Sequence, residues 1–131
     1  MKVKIISIPV LDQEKALRFY IEKLGFIKKT DVPLSEDTRW LTVVSQEDLN
    51  GPEILLEPAP NHFEPAKTYQ KALFDAGIPY TQFNVDNLQQ EYEKLVTLCV
   101  EFSITPTAMG TVKIAVFNDT CGNHIQMVEM L

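Results

Sequence analysis

The chain has 131 residues, 45% of them hydrophobic, enough to bury one or two modest cores in one compact domain but not two independent ones. A formal charge of −6 and a pI near 4.8 argue against nucleic acid and anionic membranes as partners, because both are bound by Lys and Arg releasing counterions. No apolar run reaches bilayer length, and Met1 to Lys4 lead into an alternating strand rather than a signal-peptide core, so a cytoplasmic location is expected.

Val3 to Val10 alternates and is rich in Ile and Val, which predicts a half-buried strand. Asp12 is placed to cap a helix whose apolar stripe is Ala16, Phe19, Tyr20 and Leu24 and whose stop is Gly25. Phe26 to Thr30 reads as a short strand, Asp31 to Asp37 as a loop around Pro33, and Arg39 to Ser45 as a strand with Trp40 in the core. Asn50-Gly51 marks a turn into a strand over Glu53 to Glu57. Pro58 to Pro65 holds three prolines and is expected to be an irregular linker, followed by a short helix over Ala66 to Ala76 that stops at Gly77. Then the pattern repeats, roughly 75 residues on. Tyr80 to Val85 leads through Asn87, paired with Gln90, into a helix with Leu88, Tyr92, Leu95 and Cys99 on its stripe. Strands over Phe102 to Thr105, Val112 to Phe117 and His124 to Met130 follow, with turns at Pro106 to Gly110 and Asp119 to Asn123. The reading is a single α+β domain: module one over about 1–58, a linker and helix over about 59–77, and module two over about 78–131.

Ile8-Pro9-Val10-Leu11-Asp12, Ala16-Leu17-Arg18-Phe19-Tyr20, Leu24-Gly25-Phe26, Arg39 to Val43 and Asn118 to Gln126 cover nearly the whole chain in order. Together they resemble the vicinal oxygen chelate (VOC) superfamily of glyoxalase I, fosfomycin and bleomycin resistance proteins and extradiol dioxygenases. The resemblance implies paired βαβββ modules with curled mixed sheets, helices outside, a ligand cup between the copies, and a homodimer. It also implies one divalent ion held by His, Glu or Gln from the first and fourth strand of each module. Carried across by spacing, those positions are Ile5, Leu55, Tyr80 and Gln126. Ile5 and Leu55 cannot ligate, and a tyrosine phenol keeps its proton to about pH 10, so the metal site is expected to be lost and no cofactor is expected.

Strand alternation then gives the expected lining of the cup. Ile5 and Ser7, then Glu53, Leu55 and Glu57, then Tyr80, Gln82 and Asn84, then His124, Gln126 and Val128 share the inward parity. Arg39 is held open as a clamp for an anionic ligand or as a cap on the sheet edge. Tyr80 and Gln126 either bind ligand or bond each other. His124 is a weak candidate general base, with a structural role as its alternative. Glu53 and Glu57 read as solvated, and His62 with Glu64 as an incomplete metal pair. Cys99 and Cys121 lack CxxC spacing and read as free thiols, Cys99 buried and Cys121 unreactive without a neighbouring cation. The expected function is metal-independent binding or sequestration of a small molecule. The alternatives are an enzyme of the lyase or dioxygenase type using residual acid-base groups or a relocated metal, and a partner-binding protein with a vestigial cup.

Overall fold

A computed structural model describes residues 1–131. Its elements run β1 (Ile5–Pro9), α1 (Gln13–Glu22), β2 (Ile27–Pro33), β3 (Arg39–Val44), β4 (Glu53–Glu57), α2 (Ala59–His62), α3 (Glu64–Asp75), β5 (Thr81–Asn84), α4 (Leu88–Thr97), β6 (Phe102–Met109), β7 (Val112–Asn118) and β8 (His124–Met130). The strands form two four-stranded mixed sheets, ordered β1-β4-β3-β2 and β5-β8-β7-β6, with the first pair of each parallel and the rest antiparallel. Each sheet with its helix is one βαβββ module. The chain divides into units 1–68 and 69–131, the boundary falling within α3.

Both modules begin their helix the same way. The side chain of Asp12 accepts from the Lys15 amide and that of Asn87 from the Gln90 amide, each at 3.0 Å, satisfying an amide that a helix start leaves without a partner. α1 packs on β2, β3 and β4, and its buried Ala16, Leu17, Phe19 and Tyr20 face buried strand residues of one parity, among them Ile8, Leu41, Val43, Ile54 and Leu56. In the second unit α4 buries Leu88 and Leu95 against β6, β7 and β8, whose Ala115, Phe117, Ile125 and Met127 are buried. Gln13, itself buried, holds the first unit together where the β3–β4 ladder ends. Its amide nitrogen donates to the Arg39 carbonyl at 2.7 Å and the Leu56 carbonyl at 2.8 Å, and its oxygen accepts from the Arg39 amide at 3.0 Å.

The two helices are each ten residues long and end alike in backbone, although the first module takes one residue more from cap to turn. Gly25 (φ 78°) and Cys99 (φ 65°) are both left-handed, so Cys99 answers Gly25 rather than Leu24. The extra residue of the first module is absorbed in a widened last turn, where the Leu24 amide donates to the Phe19 carbonyl five residues back. Cys99 is exposed, not buried as its place on the stripe suggested. Its amide donates to the Val96 carbonyl and that of Val100 to the Leu95 carbonyl, a closing turn that demands a positive φ from whatever residue stands there.

The prolines differ from expectation for one reason. Pro60 and Pro65 lie in the first turns of α2 and α3, where an amide has no intrahelical partner to lose, so the segment read as an irregular linker is helical. Pro33 lies at the end of edge strand β2, and Pro106 lies in edge strand β6 inside a register shift between Ile104 and Thr107. Edges and bulges are the sheet positions that tolerate a missing donor. β2 and β6 are therefore longer than predicted, and the turn expected over Pro106 to Gly110 shrinks to Gly110 and Thr111.

Candidate functional site

Register places the candidate residues in rows that cross each sheet on the side away from α1 or α4. In the second unit the central row is Gln82, Gln126, Val116 and Ile104. One step along lies Asn84, Val128, Ile114 and Thr107, and one step back lies His124 beside Asn118. Tyr80 lies just outside β5 but continues its ladder, its amide donating to the His124 carbonyl at 2.8 Å. In the first unit the equivalent rows are Ile5, Glu53, Val44 and Ile27; then Ser7, Leu55, Thr42 and Thr30; then Glu57 and Pro9 on the β4–β1 side with Trp40 and Val32 on the β3–β2 side. Tyr80, Gln82, Asn84, His124 and Gln126 thus share one face, and Ser7 and Leu55 share another.

On the second face Gln126 donates its amide to the Gln82 side-chain oxygen at 3.2 Å. His124 is stacked on Phe74 of α3, ring centroids 4.2 Å apart and planes within 12°, and its Nδ1 is buried without a hydrogen-bond partner. One side of the imidazole is therefore covered by α3, which is itself tied down nearby. Gln70 donates to Asn123 Oδ1 at 3.2 Å and more weakly to the Cys121 carbonyl, while the fully buried Asp119 carboxylate accepts from the Cys121 and Asn123 amides and from Asn123 Nδ2. This buried polar network had no signal in the sequence, because Gln70 is remote in the chain from the turn it holds.

The first face is more apolar. Ile5, Ile27, Val32 and Trp40 are all 38–50% exposed on it, so Trp40 is not a core residue. Glu53 is not simply solvated: the buried Thr42 hydroxyl donates to it at 2.7 Å and Lys29 lies 3.9 Å away. Arg39 is not brought together with these residues. It has the parity of Leu41 and Val43, and its guanidinium is taken by two bonds to Asp31, at 3.0 and 2.9 Å, and one to Glu14 at 2.7 Å. Those bonds from Arg39, with a further one from Lys28, hold the Asp31 carboxyl down at about 2 and push the Arg39 pKa up. His62 and Glu64 lie on α2 and α3, and His62 Nε2 shares a hydrogen bond with the Thr38 hydroxyl at 3.1 Å. Cys121 is buried.

A model of the Glyoxalase/Bleomycin resistance protein/Dioxygenase superfamily matches residues 2–127. The chain belongs to this superfamily. It is 54% identical over 129 residues to the uncharacterized protein YurT of Bacillus subtilis (strain 168), covering 98% of this chain and 99% of that one. Among solved structures, UcmS2 is 30% identical with a TM-score of 0.83, covering 98% of each chain. TnmS3, an antibiotic binding protein from Streptomyces sp. CB03234, is 24% identical with a TM-score of 0.75, covering 100% of this chain and 97% of that one, and shares the fold.

A divalent ion of the superfamily's metal-dependent members does not fit the residues at the four corresponding positions. Ile5 and Leu55 offer no donor atom, and Gln126 is engaged with Gln82. No three His, Cys, Asp or Glu side chains cluster elsewhere in a way that would hold one. No helix is long and apolar enough to cross a membrane.

Proposed function

We propose that this superfamily member binds and sequesters a small molecule without a metal, using the face that carries Tyr80, Gln82, Asn84 and Gln126. The observation that carries this reading is the central row, where the side-chain amides of Gln82 and Gln126 lie side by side and are followed by the buried Val116 and the exposed Ile104. A few placed polar groups next to apolar surface is the composition of a small-molecule site. The fold shared with TnmS3, an antibiotic binding protein, supports the same class of role. We also propose that two copies associate in the cytoplasm, since Ile5, Ile27, Val32 and Trp40 leave exposed apolar area, and the open sheet edges are of the kind that a partner covers.

The test is a thermal-shift screen of small polar and aromatic compounds in buffer containing EDTA, repeated on Tyr80→Phe and Gln126→Leu. Hits that bind the parent and weaken by about 1 kcal/mol or more in either variant support the reading. Hits that bind both variants as tightly as the parent place the ligand elsewhere, and hits abolished by EDTA return the family's metal chemistry to consideration. Light scattering checks the association, with one chain's mass at micromolar concentration contradicting it.

A further inference from the structure

The face of the second unit carries no Asp, Glu, Lys or Arg, although these make up 23% of the chain. The two charged residues that β7 and β8 do carry, Lys113 and Glu129, are register partners of the opposite parity, and Glu129 is occupied in accepting the Leu88 amide at the start of α4. The titratable side chains on this face are Tyr80 and His124, and Phe74 covers the His124 ring. An ionic ligand held on this face would meet no opposite charge to offset the hydration it gave up. A neutral ligand meets no such penalty.

The amide pair adds direction. Once Gln126 Nε2 has donated to Gln82 Oε1, the Gln82 amino group and the Gln126 carbonyl oxygen remain, one donor and one acceptor on neighbouring strands. If both amides are flipped the free groups exchange places and the pattern survives, so it does not depend on how the amide oxygens and nitrogens were assigned. A complementary edge is an adjacent carbonyl and N–H, as in a lactam. Val116, fully buried, and Ile104, 39% exposed, continue the same row across β7 and β6. At about 4.8 Å between strands the row spans roughly 14 Å, so a ligand as long as two or three fused rings with its polar edge on the amides would reach the exposed Ile104, while the buried Val116 adds no accessible surface.

We infer that the ligand of this face is an uncharged, flat ring compound with a lactam-type donor–acceptor edge, read by Gln82 and Gln126 together. The inference rests on the proposed use of this face and narrows it to a chemical class. Three probes test it on the full chain: quinolin-2(1H)-one, its N-methyl derivative, which lacks the donor, and 2-naphthoate, which is anionic. Titration followed by NMR should show the lactam binding at least about fivefold more tightly than the N-methyl compound, the effect of about 1 kcal/mol for one hydrogen bond, with 2-naphthoate weakest. One of Gln82→Leu and Gln126→Leu removes the acceptor of the ligand N–H, and in it the lactam and its N-methyl derivative should bind alike; the other removes the donor to the carbonyl that both probes carry and should weaken both, and Gln82→Arg should admit 2-naphthoate. Gln82 is exposed, so its variants leave the core untouched. Equal binding of 2-naphthoate and the lactam by the parent overturns the inference, as does failure of all three to bind; if the screen above still yields hits sensitive to Gln126→Leu, the face remains the site and only the class is wrong. Lactam binding that neither Leu variant changes overturns both.

Discussion

Gly122→Ala should be among the most destabilising single-methyl changes in the chain, for two separable reasons. Gly122 has φ 101°, a region closed to residues with a Cβ, which costs roughly 1–3 kcal/mol. A methyl there would also lie 2.7 Å from Gln70 Nε2. The far end of a glutamine can swing away, but Gln70 is buried and its amide would give up its bonds to Asn123 Oδ1 and the Cys121 carbonyl, at about 1–2 kcal/mol in total. The sum is about 2–5 kcal/mol. With an unfolding entropy of about 0.28 kcal/mol per degree for a chain of this length, Tm should fall by roughly 7–18 °C. The double-mutant cycle with Gln70→Ala separates the terms. Gln70→Ala already forfeits those bonds, so the double variant should cost about 1–2 kcal/mol less than the two singles added together. Strict additivity in urea unfolding would refute the claim that the methyl acts through Gln70.

Cys99→Gly should raise stability by about 0.5–1 kcal/mol, because the left-handed backbone costs a cysteine about 1–2 kcal/mol while glycine's greater freedom when unfolded returns part of the gain; a lower Tm would contradict this. Gln13→Leu removes partners from the Arg39 amide and carbonyl and the Leu56 carbonyl, and should cost about 2–4 kcal/mol by denaturant titration. The carboxyl of Asp31 is held at about 2 in the folded chain against an ordinary 3.8, so its contribution is present above about pH 4 and is lost as pH falls through 2. Partial exposure reduces it to about 1 kcal/mol, and Asp31→Asn should flatten that part of the stability–pH curve. Added zinc, nickel or manganese should leave Tm unchanged, and stoichiometric metal surviving dialysis would count against the metal-free reading.

What could be read from the sequence was whatever depends on near neighbours. Asp12 and Asn87 cap their helices, and alternation along β1, β5 and β8 put Ile8, Phe83, Ile125 and Met127 opposite Ser7, Gln82 and Gln126, because both are set within a few residues of chain. What escaped depends on distant partners. The parity of β3 is fixed by Thr42 pairing with Leu55 and Thr30, which turns Trp40 onto the outer face and Arg39 toward Glu14 of α1. The prolines were read as breakers because a missing donor is harmful on average, yet each lies where the chain needs no donor. Cys99 looked like the end of an apolar stripe, whereas the turn that closes α4 decides its exposure.

The two modules agree on the side that packs against a helix and disagree on the other. Caps, helix stripes and the parallel first strand pair recur, since packing constrains them in the same way twice. The opposite faces have diverged position by position: Ser7, Leu55, Thr42 and Thr30 in one central row answer to Gln82, Gln126, Val116 and Ile104 in the other. The first row is polar on β1, β3 and β2 around the apolar Leu55, and the second is polar on β5 and β8 alone. A metal centre drawing on both modules would require donors at equivalent positions of each, which Ile5 and Leu55 deny. A ligand with one polar edge and an apolar body makes no such demand, so one module can supply its hydrogen bonds alone, and divergence between the faces is what selection for such a ligand would leave.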